Sequence, residues 1–213
     1  ISNPTHPTAA MNQVRLPRTA ALGPGLGGQP RLLIDAPAGA AEIYLHGATL
    51  TSWVPRGGSE VIFTSRQAVF DGSTAIRGGI PLCLPEFGVG INGDAVPKHG
   101  WARIAPWQLR MVASTDDGGV RALLSVSRNH LTALYEVEIG ETLRLGLSLR
   151  NDGNAPRTVE AAAHTYLSVH DVTASLISGL AGASYSDNLA HSPQEAHRVQ
   201  DGDVRISGPV DRI

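Results

Sequence analysis

Strict alternation of apolar and polar residues is the feature that most limits what this chain can become. In Leu143, Leu145, Leu147 and Leu149, interleaved with Arg144, Gly146, Ser148 and Arg150, the period is two. That period puts successive side chains on opposite faces of an extended strand, one buried and one wet. Comparable stretches recur at 31–35, 41–45, 48–54, 60–64, 107–114, 120–127, 134–139, 158–164, 172–177 and 203–207. They are separated by turn signals such as Gly57-Gly58, Asp117-Gly118-Gly119, Gly140-Glu141, Asp152-Gly153 and Asp201-Gly202. No stretch free of Gly and Pro carries a helical apolar face, so helices longer than about two turns are not expected. The expected architecture is an all-β, antiparallel sandwich.

Composition narrows the partners. The 213 residues hold 17 Lys+Arg against 19 Asp+Glu, a formal net charge of −2, so overall charge attracts neither nucleic acid nor an anionic membrane. No apolar run approaches bilayer length, and a soluble protein is expected. A single cysteine, Cys83, excludes an internal disulfide and an all-cysteine metal site. With no recognisable secretory leader, this points to the reducing cytoplasm. Residues 1–30, with five prolines and the run Gly23-Pro24-Gly25-Leu26-Gly27-Gly28, are expected to form an extended or mobile arm, and 31–213 a single domain.

One segment breaks the alternation. Asp71–Arg103 carries seven glycines, three prolines and a cluster of charges, too long for a turn and too irregular for a strand pair. Loops of this kind often hold function. Arg77 precedes Gly78-Gly79, and Lys98-His99-Gly100-Trp101-Ala102-Arg103 follows. Arg77, Lys98 and Arg103 can converge on one anion, since guanidinium forks match phosphate or carboxylate oxygens and lysine adds a point charge; alternatively each is a solvated surface charge. His164, in a strand-like context, can act as a general acid near neutral pH or serve as a hydrogen-bonded structural histidine, and His99 faces the same alternatives. His191 and His197 lack zinc-ligand spacing, His46 reads as the brace of a turn, and Cys83 between Leu82 and Leu84 reads as a small buried hydrophobe. Trp53, Trp101 and Trp107 read as core or cleft wall, with Trp101 also able to stack on a sugar ring.

The motifs GATLTSW (47–53), FDGSTAIRGGIPLCLPEFG (70–88), KHGWAR (98–103), HTYLSVHD (164–171) and PVDRI (209–213) together resemble the glucose-6-phosphate 1-epimerases, or hexose-6-phosphate mutarotases, of the galactose-mutarotase-like superfamily. The resemblance spans about 31–213 and implies an antiparallel β-supersandwich with the sugar in an open cleft, here with C-terminal strands expected to be absent. It further implies an isomerase that interconverts α and β anomers of an aldohexose 6-phosphate without cofactor or metal; the sequence leaves the oligomeric state open, with a monomer favoured. By the same resemblance Arg77 and Arg103 bind the substrate phosphate and Lys98 is a neighbouring contact. His164 donates a proton to the ring oxygen, His99 contacts the sugar, and Asp211 hydrogen-bonds its hydroxyls. The family's base, a glutamate beyond the VDRI element, has no counterpart among the 213 residues. Two alternatives stand beside this reading: an aldose 1-epimerase of unphosphorylated sugar, and a noncatalytic carbohydrate-binding or sugar-sensing sandwich. Two further departures are a shortened stretch around Arg128-Asn129-His130-Leu131 and a charged Glu86 where relatives hold an uncharged residue.

Overall fold

A computed structural model describes residues 14–192 and 196–213. A division after Ser168 gives two compact units, Ile1–Ser168 and Val169–Ile213.

The first unit is built on two four-stranded antiparallel sheets. One runs in the order β1 (Ala20–Pro24), β2 (Pro30–Ala36), β3 (Gly39–Tyr44) and β4 (Thr49–Pro55). The other runs β6 (Gln108–Ser114), β7 (Val120–Arg128), β8 (Leu131–Ile139) and β9 (Leu143–Asn151), with the short β5 (Leu82–Cys83) and β10 (Ala162–Ala163) paired to each other elsewhere in the unit. Every ladder is antiparallel between chain neighbours except β5 with β10, as short turns demand.

Alternation explains the core. On β2, Leu32 and Ile34 are fully buried while Leu33 and Asp35 face outward; on β8, Leu131, Ala133, Tyr135, Val137 and Ile139 all point inward. These join Ile43, Leu50, Leu82, Leu84, Trp101, Trp107, Ala122 and Leu124 in one apolar cluster. Each fully buried Leu or Ile contributes roughly 1.5–3 kcal/mol by leaving water. The sandwich expected from the sequence is what the chain forms.

Several expectations need adjustment: of 158–164 only Ala162–Ala163 is strand, and 172–177 opens with a 3-10 turn, Val172–Ala174, before the short strand Leu176–Ile177. Part of the expected arm is sheet: Ala20–Pro24 pairs with β2 from Ala20↔Ile34 to Pro24↔Pro30, while residues 1–13 lie outside the described residues. The glycine run closes that hairpin as a three-residue 3-10 turn, Leu26–Gly28, whose Leu26 N–H donates to Tyr44 Oη. On β9, Leu143, Leu145 and Leu147 are only half-buried and Leu149 is exposed, because β9 is the last strand of its sheet. The 60–64 stretch makes only isolated bridges, Ile62↔Leu167 and Thr64↔Gly78, since the Glu60 carboxylate takes the N–H groups of Trp53 and Ile62 that a regular ladder would use.

The second unit contains two small antiparallel pairs, β11 (Leu176–Ile177) with β14 (Val204–Arg205) and β12 (Ser184–Ser186) with β13 (His197–Val199). No described helix is long and apolar enough to cross a membrane.

Candidate active site

The Asp71–Arg103 loop and the strand ending at Ala163 enclose a cleft of about 660 Å³ in the first unit. Arg77, His99, Arg103 and His164 all line it, together with Gln67, Ser73, Thr74, Cys83 and Tyr166. Sugar-sized ligands occupy clefts of this size.

Glycine places Arg77. Gly78 adopts φ +113° and Gly79 φ +71°, in the region L side chains avoid. The chain there is threaded between two neighbours: Ser65 N–H donates to Arg77 O (3.0 Å), Gly79 N–H to Phe63 O (2.8 Å), and Tyr166 N–H to Gly79 O (2.9 Å). A Cβ on Gly78 would sit 2.6 Å from Thr64 Cα, so only hydrogen fits. Upstream, the Asp71 carboxylate accepts the N–H groups of Ser73 and Thr74 and the Thr74 hydroxyl, which hold it well below the usual carboxylate range. Buried His46 donates from Nε2 to Thr74 O (2.9 Å), bracing this wall as its sequence context suggested.

Arg103 rides on a 3-10 turn, Ala102–Ile104, tied to the core by Ala102 N–H to Leu84 O (3.0 Å) and by Trp107 Nε1–H to Ala102 O (2.9 Å). Its Nη2 donates to Lys98 O (2.7 Å). The Lys98 backbone therefore positions a guanidinium, while its exposed side chain is not among the groups lining the cleft. Among the described residues no carboxylate lines the cleft either, so Arg77 and Arg103 leave it positive and matched to an anion.

His99 and His164 face each other edge to face, with ring centroids 6.1 Å apart. His164 is anchored through its backbone N–H to Pro81 O (3.0 Å), and its ring stacks on Tyr166 at 4.9 Å. The pair His164 and Tyr166 share a face because they are two apart in an extended segment. That spacing was legible in HTYL, yet Tyr166 was not singled out; Gln67 and Ser73 carried no sequence signal. His99 sits at φ +67°, and its Nδ1 accepts the Gly88 N–H (3.0 Å). Burial first, then the charges of Arg103, Lys98 and His164, push the His99 imidazole below the ordinary histidine value. With Nδ1 engaged as an acceptor, Nε2 is the ring nitrogen left to donate into the cleft.

The remaining sequence candidates have these surroundings. Asp211 belongs to the second unit, where its Oδ1 accepts from Asn188 Nδ2 (3.1 Å) and its carbonyl from Asn188 N–H (2.9 Å). Glu86 lines a separate cleft with Asp94 and Arg157. Cys83 is buried at the edge of the arginine cleft, and burial pushes its thiol up, with Arg103 opposing slightly. Among the described residues no three His, Cys, Asp or Glu side chains converge as a metal-ligand set.

Known proteins share this arrangement of chain and sheet. A protein of Salmonella typhimurium named "Putative glucose-6-phosphate 1-epimerase" is 31% identical over 191 residues, 85% of this chain and 62% of that protein. A protein of the same name from Cenchrus ciliaris is 32% identical over 190 residues, 81% of this chain and 56% of its own. The chain thus spans about three-fifths of the length of these relatives. The crystal structure titled as a "putative mutarotase (YeaD)" from Salmonella typhimurium superposes with a TM-score of 0.81 at 27% identity, covering 94% of this chain and 68% of that one. With the aldose 1-epimerase family model matching residues 30–204 as well, the chain belongs to the aldose 1-epimerase family.

Proposed function

We propose that the protein interconverts the α and β anomers of an aldohexose 6-phosphate, glucose 6-phosphate foremost. The observation that carries this is one cleft holding two guanidiniums, two facing imidazoles and, among the described residues, no carboxylate to neutralise them. A neutral sugar offers Arg77 and Arg103 nothing to pair with; a terminal phosphate accepts both. The names of the relatives support the same substrate class.

In this reading Arg77 and Arg103 hold the phosphate, and Lys98 adds positive charge at the rim. His164 protonates the ring oxygen as a base takes the anomeric hydroxyl proton, so the bond from C1 to the ring oxygen breaks and C1 becomes an aldehyde carbon. Rotation about C1–C2 presents the other carbonyl face, and the 5-hydroxyl re-adds as the two protons return. Nothing is oxidised and no cofactor enters. His99 donates from Nε2 to a sugar oxygen. The base assigned by family resemblance is a glutamate beyond Val210–Ile213. Operation as a cytoplasmic monomer completes the reading.

Exchange NMR of the anomeric protons tests it. Faster exchange of glucose 6-phosphate, but not glucose, is expected; equal acceleration of both identifies an epimerase of free sugar. The lack of a carboxylate among the described cleft residues favours one second reading, a binding module without catalysis. Line broadening of the sugar phosphate without faster exchange would establish it. Charge-assisted hydrogen bonds are worth about 1.5–3 kcal/mol, so Arg77→Ala or Arg103→Ala should weaken binding of the phosphorylated sugar about ten- to hundredfold. Equal losses for glucose would refute the anion pocket.

A further inference from the structure

Glu160 lies four residues before His164 and outside the arginine cleft, yet it is connected to His99 by a short chain of bonds. Its Oε2 accepts the N–H groups of Phe87 (3.3 Å) and Ile91 (3.1 Å), and its own N–H donates to Pro85 O (2.8 Å). These three bonds hold both ends of the turn at 86–91 against the segment that leads to His164. Inside that turn, Gly88 exchanges bonds with His99: Gly88 N–H donates to His99 Nδ1 (3.0 Å) and His99 N–H donates to Gly88 O (2.6 Å). The Phe87 ring meets the imidazole edge to face at 5.1 Å. Nothing else described holds the His99 ring nitrogens.

We propose that Glu160 is a positioning residue. By clamping the Phe87–Ile91 turn it keeps the Gly88 N–H on His99 Nδ1, and so fixes His99 as an Nε2–H donor toward an oxygen of the bound sugar. A nitrogen that accepts a hydrogen bond cannot carry a proton without setting two N–H groups against each other, so the clamp selects one tautomer and resists the imidazolium. The surrounding charges act in the same direction: Arg103, Lys98 and His164 face His99, and no carboxylate does among the described cleft residues. A turn without this carboxylate would leave the ring free to exchange tautomers and to rotate, losing the alignment on which donation depends. The catalytic consequence rests on the anomerase reading; the tautomer does not.

The test is two-bond proton–nitrogen correlation NMR on the full chain labelled with ¹⁵N-histidine, with His99 assigned by its disappearance in His99→Asn. Wild-type His99 should show an unprotonated Nδ1 and a protonated Nε2, and should take up a proton only below the ordinary histidine value of about 6.5. In Glu160→Ala the two nitrogens should move toward averaged positions and the titration should shift upward. Unchanged nitrogen positions and titration in the folded variant overturn the proposal. Should Glu160→Ala fail to fold, the isosteric Glu160→Gln keeps only a neutral acceptor, and amide exchange at Gly88 should quicken; an unchanged rate refutes the clamp. Anomeric exchange of glucose 6-phosphate should fall by up to about a hundredfold in Glu160→Ala if the anomerase reading holds. A shifted tautomer with no activity in the wild type would sink that reading alone.

Discussion

Replacing Gly78 by alanine should damage fold and site together, by an amount the geometry sets. The residue sits at φ +113°, and a side chain held in so sparsely populated a conformation costs about 1–3 kcal/mol. The added Cβ would also lie 2.6 Å from Thr64 Cα, 2.7 Å from Phe63 O and 2.9 Å from Ser65 N, all backbone atoms that cannot swing aside. Relief requires the two segments to part, which stretches the Ser65 N–H bond to Arg77 O and the Gly79 N–H bond to Phe63 O, each worth about 0.5–1.5 kcal/mol net. The total is roughly 2–6 kcal/mol. At about 2–4 °C per kcal/mol for a chain of this size, the thermal midpoint should fall by about 10 °C. Gly57→Ala is the matched control: its φ is +67° but nothing lies within 4 Å of the new Cβ, so only the conformational cost of about 1–2 kcal/mol applies. Urea and thermal unfolding of both variants give the difference. Titration with glucose 6-phosphate well below the midpoint should show weaker binding in Gly78→Ala alone, because Arg77 is the neighbouring residue and moves with the displaced backbone. If Gly78→Ala costs no more than Gly57→Ala, the close approach of the two backbones does not determine the Arg-Gly-Gly sequence.

Other expectations follow from single contacts. Because burial and neighbouring cations depress the His99 imidazole, unfolding takes up a proton between its folded value and about 6.5. His99 therefore contributes stability that is complete above about 6.5 and lost as pH falls through that window. His99→Asn, which tolerates the left-handed backbone, should remove this part of the slope, and an identical pH–stability profile would count against it. Trp107→Phe removes one of two donors to the buried Ala102 carbonyl, Ala105 N–H being the other, and should cost about 0.5–1.5 kcal/mol in urea unfolding, with weaker anion binding because Arg103 rides on that turn. Unaltered binding would mean the turn holds Arg103 without the indole. The buried Cys83 thiol should react with an aromatic disulfide reagent orders of magnitude more slowly in the native protein than in urea; equal rates would place it in solvent.

Much of the sheet was legible because alternation is a local property. Residues 31–35, 120–127 and 134–139 each fall within observed strands, 41–45 does so as far as Tyr44, and Leu32 and Ile34 are buried where Leu33 and Asp35 are not. Where alternation failed as a guide, the cause lay in neighbours. Leu149 alternates as well as Leu145, but β9 has no strand on its outer side, and a pattern cannot say which strand comes last. At 60–64 the Glu60 carboxylate takes ladder donors for itself, a competition that periodicity does not register.

Arg77, His99, Arg103 and His164 were all found from sequence, since glycine and proline crowd around the first three and a polar ring ends an apolar strand at the fourth. Lys98 was grouped with them by proximity along the chain, yet its contact with the site is through its carbonyl, as the acceptor for Arg103. Glu160 carried no such mark: a carboxylate in a strand reads as a wet face, and its partners Phe87 and Ile91 are some seventy residues away.

By itself, the sequence determined the strands, the turns and the residue types available for chemistry, because side-chain period, glycine conformation and ionisation are set within a few residues. Only the tertiary structure decided which of those groups share a cleft, which imidazole nitrogen keeps its proton, and which carboxylate stands behind it. Those outcomes depend on contacts between segments far apart in the chain, and on desolvation and charge that arise when the segments close around one another.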